Sequence, residues 1–497
     1  MTEQKHDRTG GRRPDGGSSH PIAPQSKGAA KGDAKDEHTS HYDLAVIGSG
    51  QCGNPLADAF HAAGKRVAVI ERSAVGGTCV NFGCTPTKTM VASAEVAELV
   101  RRGREFGIEA GAVTANMSAI VARKRGIVAA SRLSSEKRFK DGIDLVRGTA
   151  SFTGPHSMRV QLNDGGERNV SSDVIVIDTG LSPARPNVAG IDKVHCLDNV
   201  SIMELEHLPE HLLVLGGGYV GLEFGQMFRR FGSSVTIVQK GPHLLEHEDA
   251  DIAEAVAAIL REDGIEVLLD TEAREVASTS SGIELTVEAA GALRILHGSH
   301  LLNAVGRSPN TAALNLAAAG IAPDKHGFIP VNEKLETAVA GIYAVGDVNG
   351  GPAFTHISYD DFRILKSNLL DGGHRVTTGR PLPYCVFIDP QLGRIGLSEN
   401  EARRTNRKYK LAKIQMASVA RAFETGQTRG FMKALVDPES EHILGAAILS
   451  GDGGELMSMI EIAMMGKLSY KALQNGIFAH PTFAESLNTL FMSLEPK

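Results

Sequence analysis

Two cysteines, Cys79 and Cys84, stand five positions apart in Gly76-Gly-Thr-Cys79-Val-Asn-Phe-Gly-Cys84-Thr-Pro-Thr-Lys88. Thiols this close point to redox exchange or to metal binding. In an undistorted helix, residues five apart rise about 7.5 Å and face different directions. That exceeds the reach of a disulfide, so bonding needs an irregular turn, which Gly83 can allow. Pro86 and the apolar stretch after it predict a helix continuing from this point. A thiol at the start of that helix, with Lys88 nearby, is biased toward thiolate. The alternatives are a zinc half-site or two unrelated cysteines. Zinc needs two further ligands, and no second close Cys/His pair stands out in the sequence. Cys52, Cys196 and Cys385 are scattered.

The elements that must position these thiols are legible on either side. Tyr42-Asp-Leu-Ala-Val-Ile47 reads as a buried strand and runs into Gly48-Ser-Gly50-Gln-Cys-Gly53. A helical pattern through Leu56, Ala57, Phe60 and Ala63 stops at Gly64, and a second strand over 67–70 ends at Glu71. Strand, glycine turn, helix, strand and acid make a dinucleotide-binding βαβ unit. Gly48 permits the tight turn, Gly50 lets the backbone approach a pyrophosphate, and Gly53 lets helix and strand pack closely. Glu71 can take a ribose hydroxyl pair.

The pattern recurs about 170 residues on. The strand 212–215 enters Gly216-Gly-Gly218-Tyr-Val-Gly221, a helix with Leu222, Phe224, Met227, Phe228 and Phe231 follows, and the strand 235–238 ends at Gln239. Two such units imply two dinucleotides, most simply FAD and NAD(P)H, because hydride can pass between them. Gln239 does not repel a 2′-phosphate, and Lys240 could attract one, so the sequence leans to NADPH over NADH. Lys240 is equally readable as a solvated loop charge.

The rest of the composition excludes other classes. The chain has 497 residues, 42% apolar and 22% charged, which predicts roughly three or four domains. A net charge of -6 gives no reason to expect nucleic acid, and no apolar run suggests a membrane span. Five cysteines are too few for a secreted disulfide scaffold, so a cytoplasmic enzyme is expected. Residues 1–40 are rich in Gly, Ser, Lys, Arg, Asp and Pro and read as a disordered tail, with no signal or transit pattern.

The segment 76–88 resembles the active-site signature of the class I pyridine nucleotide-disulfide oxidoreductases, which include dihydrolipoamide dehydrogenase, glutathione reductase and mercuric reductase. The resemblance runs from Tyr42 to the C-terminus. Further motifs match in order: 174–180 ending at Gly180, Ala304-Val-Gly306-Arg307-Ser-Pro-Asn310, Ile342-Tyr-Ala-Val-Gly346-Asp347, and His480-Pro-Thr-Phe-Ala-Glu485. It implies an interchange thiol at Cys79 and a flavin-facing thiolate at Cys84. It also implies a Lys88–Glu223 pair by the flavin, and His480 as acid/base, oriented by Glu485 and supplied by the partner of a homodimer. FAD would be held by Gly48, Gly50, Gly53, Glu71, Thr78, Lys88, Gly180, Asp347 and Thr355. NAD(P) would be held by Gly216, Gly218, Tyr219, Gly221, Gln239, Lys240, Gly306 and Arg307. No metal site is expected.

Cys84-Thr-Pro-Thr-Lys and the run 421–431 look similar to mercuric reductase and its relatives. The chain ends Ser493-Leu-Glu-Pro-Lys497, without the C-terminal cysteine pair of that enzyme and with no N-terminal CxxC domain, and it keeps a His-Pro that mercuric reductases lose. Tyr219 is either a flavin lid, as in glutathione reductase, or simple packing. The expected acceptor is a small disulfide or dithiol. Dihydrolipoamide dehydrogenase activity, a subunit bound in a larger complex, Hg(II) or quinone reduction, and transhydrogenation remain alternatives.

The expected fold is α/β. An FAD domain spans 41–185 and 310–375, an NAD(P) domain spans 186–309, and an α+β dimerisation domain spans 376–497, with strands over 430–436 and 443–449 and a helix over 456–465.

Overall fold

The computed structural model describes residues 39–494. The expected tail therefore lies outside the described residues, apart from its last two positions. Ser40 is already in a strand.

The first layer is a parallel sheet. β1 (Ser40–Ile47) pairs in register with β2 (Val67–Glu71), Leu44 opposite Val67 and Ile47 opposite Ile70. α1 (Gly53–Ala62) connects them and buries Leu56, Ala57 and Phe60. Helices cover the sheet, so β2 is buried at all five positions, a continuous apolar run over 67–70 ending at Glu71. After β2 come α2 (Gly77–Asn81), α3 (Cys84–Arg101) and α4 (Met117–Lys137). β3 (Asp144–Gly154) pairs parallel with β2 through Asp144–Arg147 and then turns antiparallel against β4 (Ser157–Leu162). β5 (Glu167–Ile177) pairs antiparallel with β4 at its start and parallel with β1 along its length. The short strand Ile342–Ala344 adds to the far side of β5.

A second sheet is inserted between β5 and that strand. Its centre is His211–Leu215, parallel to Ser234–Val238 on one side and to His300–Asn303 on the other. α5 (Tyr219–Phe231) and α6 (Ala250–Glu262) pack with it. A three-stranded antiparallel meander, residues 271–298, follows. The chain enters and leaves this unit through one antiparallel pair, Leu181–Pro183 against Arg307–Pro309. α7 (Thr355–Leu369) then completes the first layer.

The last unit is a five-stranded antiparallel sheet ordered 384–386, 391–396, 443–450, 431–436, 410–415, with the helix Gly453–Met465 packed on it. Ion pairs fasten it to the inserted unit. Lys433, 1% exposed, places Nζ 2.7 Å from both Asp249 and Asp251 and 3.1 Å from Glu399. Those three carboxylates have the spacing of a cation site, but the lysine ammonium already supplies the charge. Arg429–Asp263 at 2.6 Å and Arg230–Asp389 at 2.5 Å extend the same seam.

Candidate active site

Cys79 lies on α2 and Cys84 is the first residue of α3. Phe82 and Gly83 break the helix between them, so the two thiols share a turn rather than a continuous helix face. Both are free thiols, and a hydrogen bond links Cys79 and Cys84. That bond, with Thr355 Oγ1 at 3.2 Å and the nearby Lys88 charge, holds the Cys84 thiol down to about 6. The same bond, together with burial, pushes the Cys79 thiol up. Both effects bias the negative charge of the pair toward Cys84.

Lys88, one turn along α3, reaches Glu223 of α5 at 2.5 Å. Glu223 is 4% exposed and also accepts the Phe387 backbone N–H at 3.0 Å. Lys88 Nζ lies 4.7 Å from the Phe387 ring centroid. Three parts of the chain therefore meet at this pair.

All of these residues line one cavity of about 2520 Å³, well beyond the roughly 300–1,000 Å³ of a single small-ligand pocket. Both glycine turns open into it. At the first, Gly48 has φ +101°, and a Cβ there would lie 2.2 Å from the Asp178 carbonyl oxygen. At the second, a Cβ on Gly221 would lie 2.1 Å from the Gly216 carbonyl oxygen. Gly218, Gly180 and Gly306 face open space, as backbone approached by a ligand must. Gly50 does not. Its Cβ direction is filled by the Asp178 carboxyl, 2.7 Å away, so a side chain there would collide with the acid.

The two strand ends after the turns are built alike. Glu71 accepts the Ser49 N–H at 3.0 Å and the Ser49 hydroxyl at 2.6 Å. Gln239 accepts the Gly217 N–H at 2.8 Å and donates to Glu246 at 2.8 Å. Lys240 is paired with Glu272 at 2.8 Å. Thr78 and Asp347 line the cavity, and Thr179, beside Gly180, has a buried hydroxyl with no partner among the described residues. An orphaned hydroxyl, open glycines and two helix N-termini suit FAD and a pyridine nucleotide. Arg307, read from sequence as a nucleotide residue, pairs with Asp347 across the crossing strands. Tyr219 starts α5, with its ring 6.2 Å from Phe354, which itself stacks on Tyr384 at 5.3 Å.

His480 and Glu485 are paired, Nδ1 to Oε2 at 2.8 Å. A carboxylate can only accept, so Nδ1 carries the proton and Nε2 is left for other chemistry. The pair is not among the residues lining the cavity, and the His480 side chain is 67% exposed. Of the expected site residues, Gly53, Gly221, His480 and Glu485 stand outside the cavity lining, the two glycines packed behind their turns, and the rest line it. Sequence reasoning missed Asp178, Glu246, Phe354 and Tyr384. Asp178 stood inside a quoted motif, whereas nothing in the sequence singled out the other three.

Residues 42–361 match the family described as pyridine nucleotide-disulphide oxidoreductase, and 382–491 match its dimerisation domain. The chain belongs to this family. It is 37% identical to the probable pyridine nucleotide-disulfide oxidoreductase RclA of Escherichia coli over 90% of this chain and 98% of that one. It is 32% identical to a mercuric reductase of Staphylococcus aureus, covering 91% and 82%. The solved structure of the HOCl-induced flavoprotein disulfide reductase RclA superposes with a TM-score of 0.83 at 36% identity, covering 91% and 100%. This pyridine nucleotide-disulphide oxidoreductase is thus a flavoprotein-type enzyme that uses FAD and a pyridine nucleotide. It has the family's α/β fold and carries the family's dimerisation domain. Among the described residues no helix is long and apolar enough to cross a membrane.

Proposed function

We propose that the enzyme reduces a small disulfide through the Cys79–Cys84 pair, at the cost of one reduced pyridine nucleotide and one proton per disulfide. The observation that carries this reading is the placement of Cys79 and Cys84 on one turn of the shared cavity, with Thr355 Oγ1 3.2 Å from Cys84 Sγ. The Cys79 contact and the Lys88 charge bias Cys84 toward thiolate. Bound FAD supplies two-electron transfer between nicotinamide and sulfur. Cys79 loses its proton to a base and attacks one substrate sulfur, forming a mixed disulfide and releasing the first thiol. Cys84 then attacks Cys79 Sγ, releases the second thiol, and leaves a Cys79–Cys84 disulfide to be reduced again. His480 of the partner subunit is assigned as the proton carrier. Its exposed ring, absent from the lining of its own chain's cavity, supports that assignment, which makes the active unit a homodimer.

The geometry favours NADH over the NADPH toward which the sequence leans. Lys240 is already paired with Glu272, while Glu246 adds a carboxylate beside Gln239. A 2′-phosphate would meet the Glu246 carboxylate there, while Lys240 and Arg274 are both engaged by Glu272. An NADH preference of about tenfold in kcat/KM, reduced in Glu246→Gln, is expected. A reducing, cytoplasmic setting suits a working thiol pair.

A second acceptor class is a thiophilic metal ion, because relatives are named mercuric reductase and RclA has been solved as a Cu(II) complex. Turnover with glutathione disulfide, other disulfides, lipoamide, Hg(II), Cu(II) and a quinone separates the classes. Disulfide turnover that disappears in both Cys79→Ser and Cys84→Ser supports the proposal. Turnover confined to metal ions or quinones overturns it.

A further inference from the structure

Asp178 follows β5 and sits under the first glycine turn. Its Oδ2 accepts the Gly53 backbone N–H at 2.8 Å, at the start of α1. A Cβ on Gly50 would lie 2.7 and 2.9 Å from its two oxygens, and one on Gly53 would lie 2.8 Å from Oδ2. One on Gly346 would lie 3.5 Å from Oδ1. Glycines from two separate segments thus close around one carboxyl group.

No cation balances it. Among the described ion pairs none includes Asp178. Asp347 is paired with Arg307, and Asp361, on α7, with Arg380 at 2.6 Å. Arg380 also faces Asp360. Glu71, on β2, accepts its hydrogen bonds from Ser49 and Ser73. Cys52, just before α1, contributes only a buried thiol, itself pushed up by burial and by Asp178 and Asp361. An unpaired buried carboxylate is costly, and the site accommodates the neutral acid. Burial, with Asp347 and Asp361 adding to it, pushes the Asp178 carboxyl up to about 8 against the opposing Gly53 N–H.

We propose that Asp178 is a positioning residue for the flavin diphosphate and works in its protonated form. The neutral carboxyl props the turn from beneath through the Gly53 N–H and sets no negative charge against the diphosphate. Once ionised, it holds that N–H more strongly and repels the phosphates. This inference rests on the reading of the first turn as the FAD site. A bound diphosphate raises the carboxyl further, so FAD binding takes up a proton over the window between the apo and holo transitions.

The test is the FAD dissociation constant from pH 6.5 to 9.5, read by the fluorescence of flavin released from holoenzyme, for wild type and Asp178→Asn. The wild-type constant should rise roughly tenfold per pH unit above the apo transition, whereas the neutral isostere should hold FAD with a flat profile. A flat wild-type profile, or the same slope in Asp178→Asn, overturns the proposal. If the variant does not fold, proton uptake on adding FAD to wild-type apoprotein near pH 8, measured calorimetrically in two buffers, decides it: uptake supports the role and none refutes it. A wild type that binds no FAD at any pH would instead remove the flavin reading of this turn, and this inference with it.

Discussion

Cys84 Sγ is where charge, hydrogen bonding and access meet. It is biased toward thiolate because Cys79 hydrogen-bonds to it, Thr355 adds a second contact, and Lys88 places a positive charge nearby. A group lowered to about 6 is ionised above that pH and protonated below it. In two-electron-reduced enzyme the long-wavelength thiolate–flavin absorbance should therefore be full at pH 8 and fade as pH falls through about 6. In Lys88→Met the fading should begin at higher pH, because a stabilising cation is gone. An absorbance independent of pH between 5 and 8 would contradict the assignment. At this scale the sequence was readable where chemistry needs a residue type at a fixed spacing, as with Cys79, Cys84 and Lys88. It was not readable where a contact exists only after folding. Asp178 fills the space beside Gly50, 128 residues away, and Lys240 is neutralised by Glu272 on another strand.

The elements explain why the thiols hold this relation. α2 ends at Asn81 and α3 begins at Cys84, so the intervening break sets the sulfur geometry. The two glycine turns were legible because backbone sterics allow little else there. Gly221→Ala puts a methyl 2.1 Å from the Gly216 carbonyl oxygen. It should cost about 1–3 kcal/mol in thermal unfolding and raise the KM for the pyridine nucleotide while leaving FAD content unchanged. The seam between α6 and the C-terminal sheet was not legible, since no local pattern announces a buried lysine among three acids. Lys433→Met leaves Asp249 without its cation, while Asp251 keeps only Lys413. A loss of about 3–5 kcal/mol is expected by denaturant unfolding, and a loss below about 1 kcal/mol would show that the seam contributes little.

At the scale of the whole molecule, His480 and Glu485 form a ready pair outside their own cavity, in a chain that carries a dimerisation domain. If the site is shared, co-refolding inactive Cys84→Ser with inactive His480→Gln chains should give mixed dimers with one intact site each. About a quarter of wild-type disulfide turnover is then expected at equal mixing, half of the dimers being mixed. No recovery would place the working base elsewhere. The two-turn, two-cofactor architecture was legible in the sequence because each turn repeats a complete local unit. Which copy supplies the base depends on assembly, and only the family resemblance pointed to it.

The central claim is that the thiol pair is a second electron store in line with FAD. Anaerobic reductive titration of flavin-loaded enzyme with dithionite, followed by absorbance, measures it directly. Wild type should accept two electron pairs per protomer, one for FAD and one for the Cys79–Cys84 disulfide, and Cys84→Ser only one. If wild type accepts a single pair, the cysteines are not in the electron path and the account is wrong.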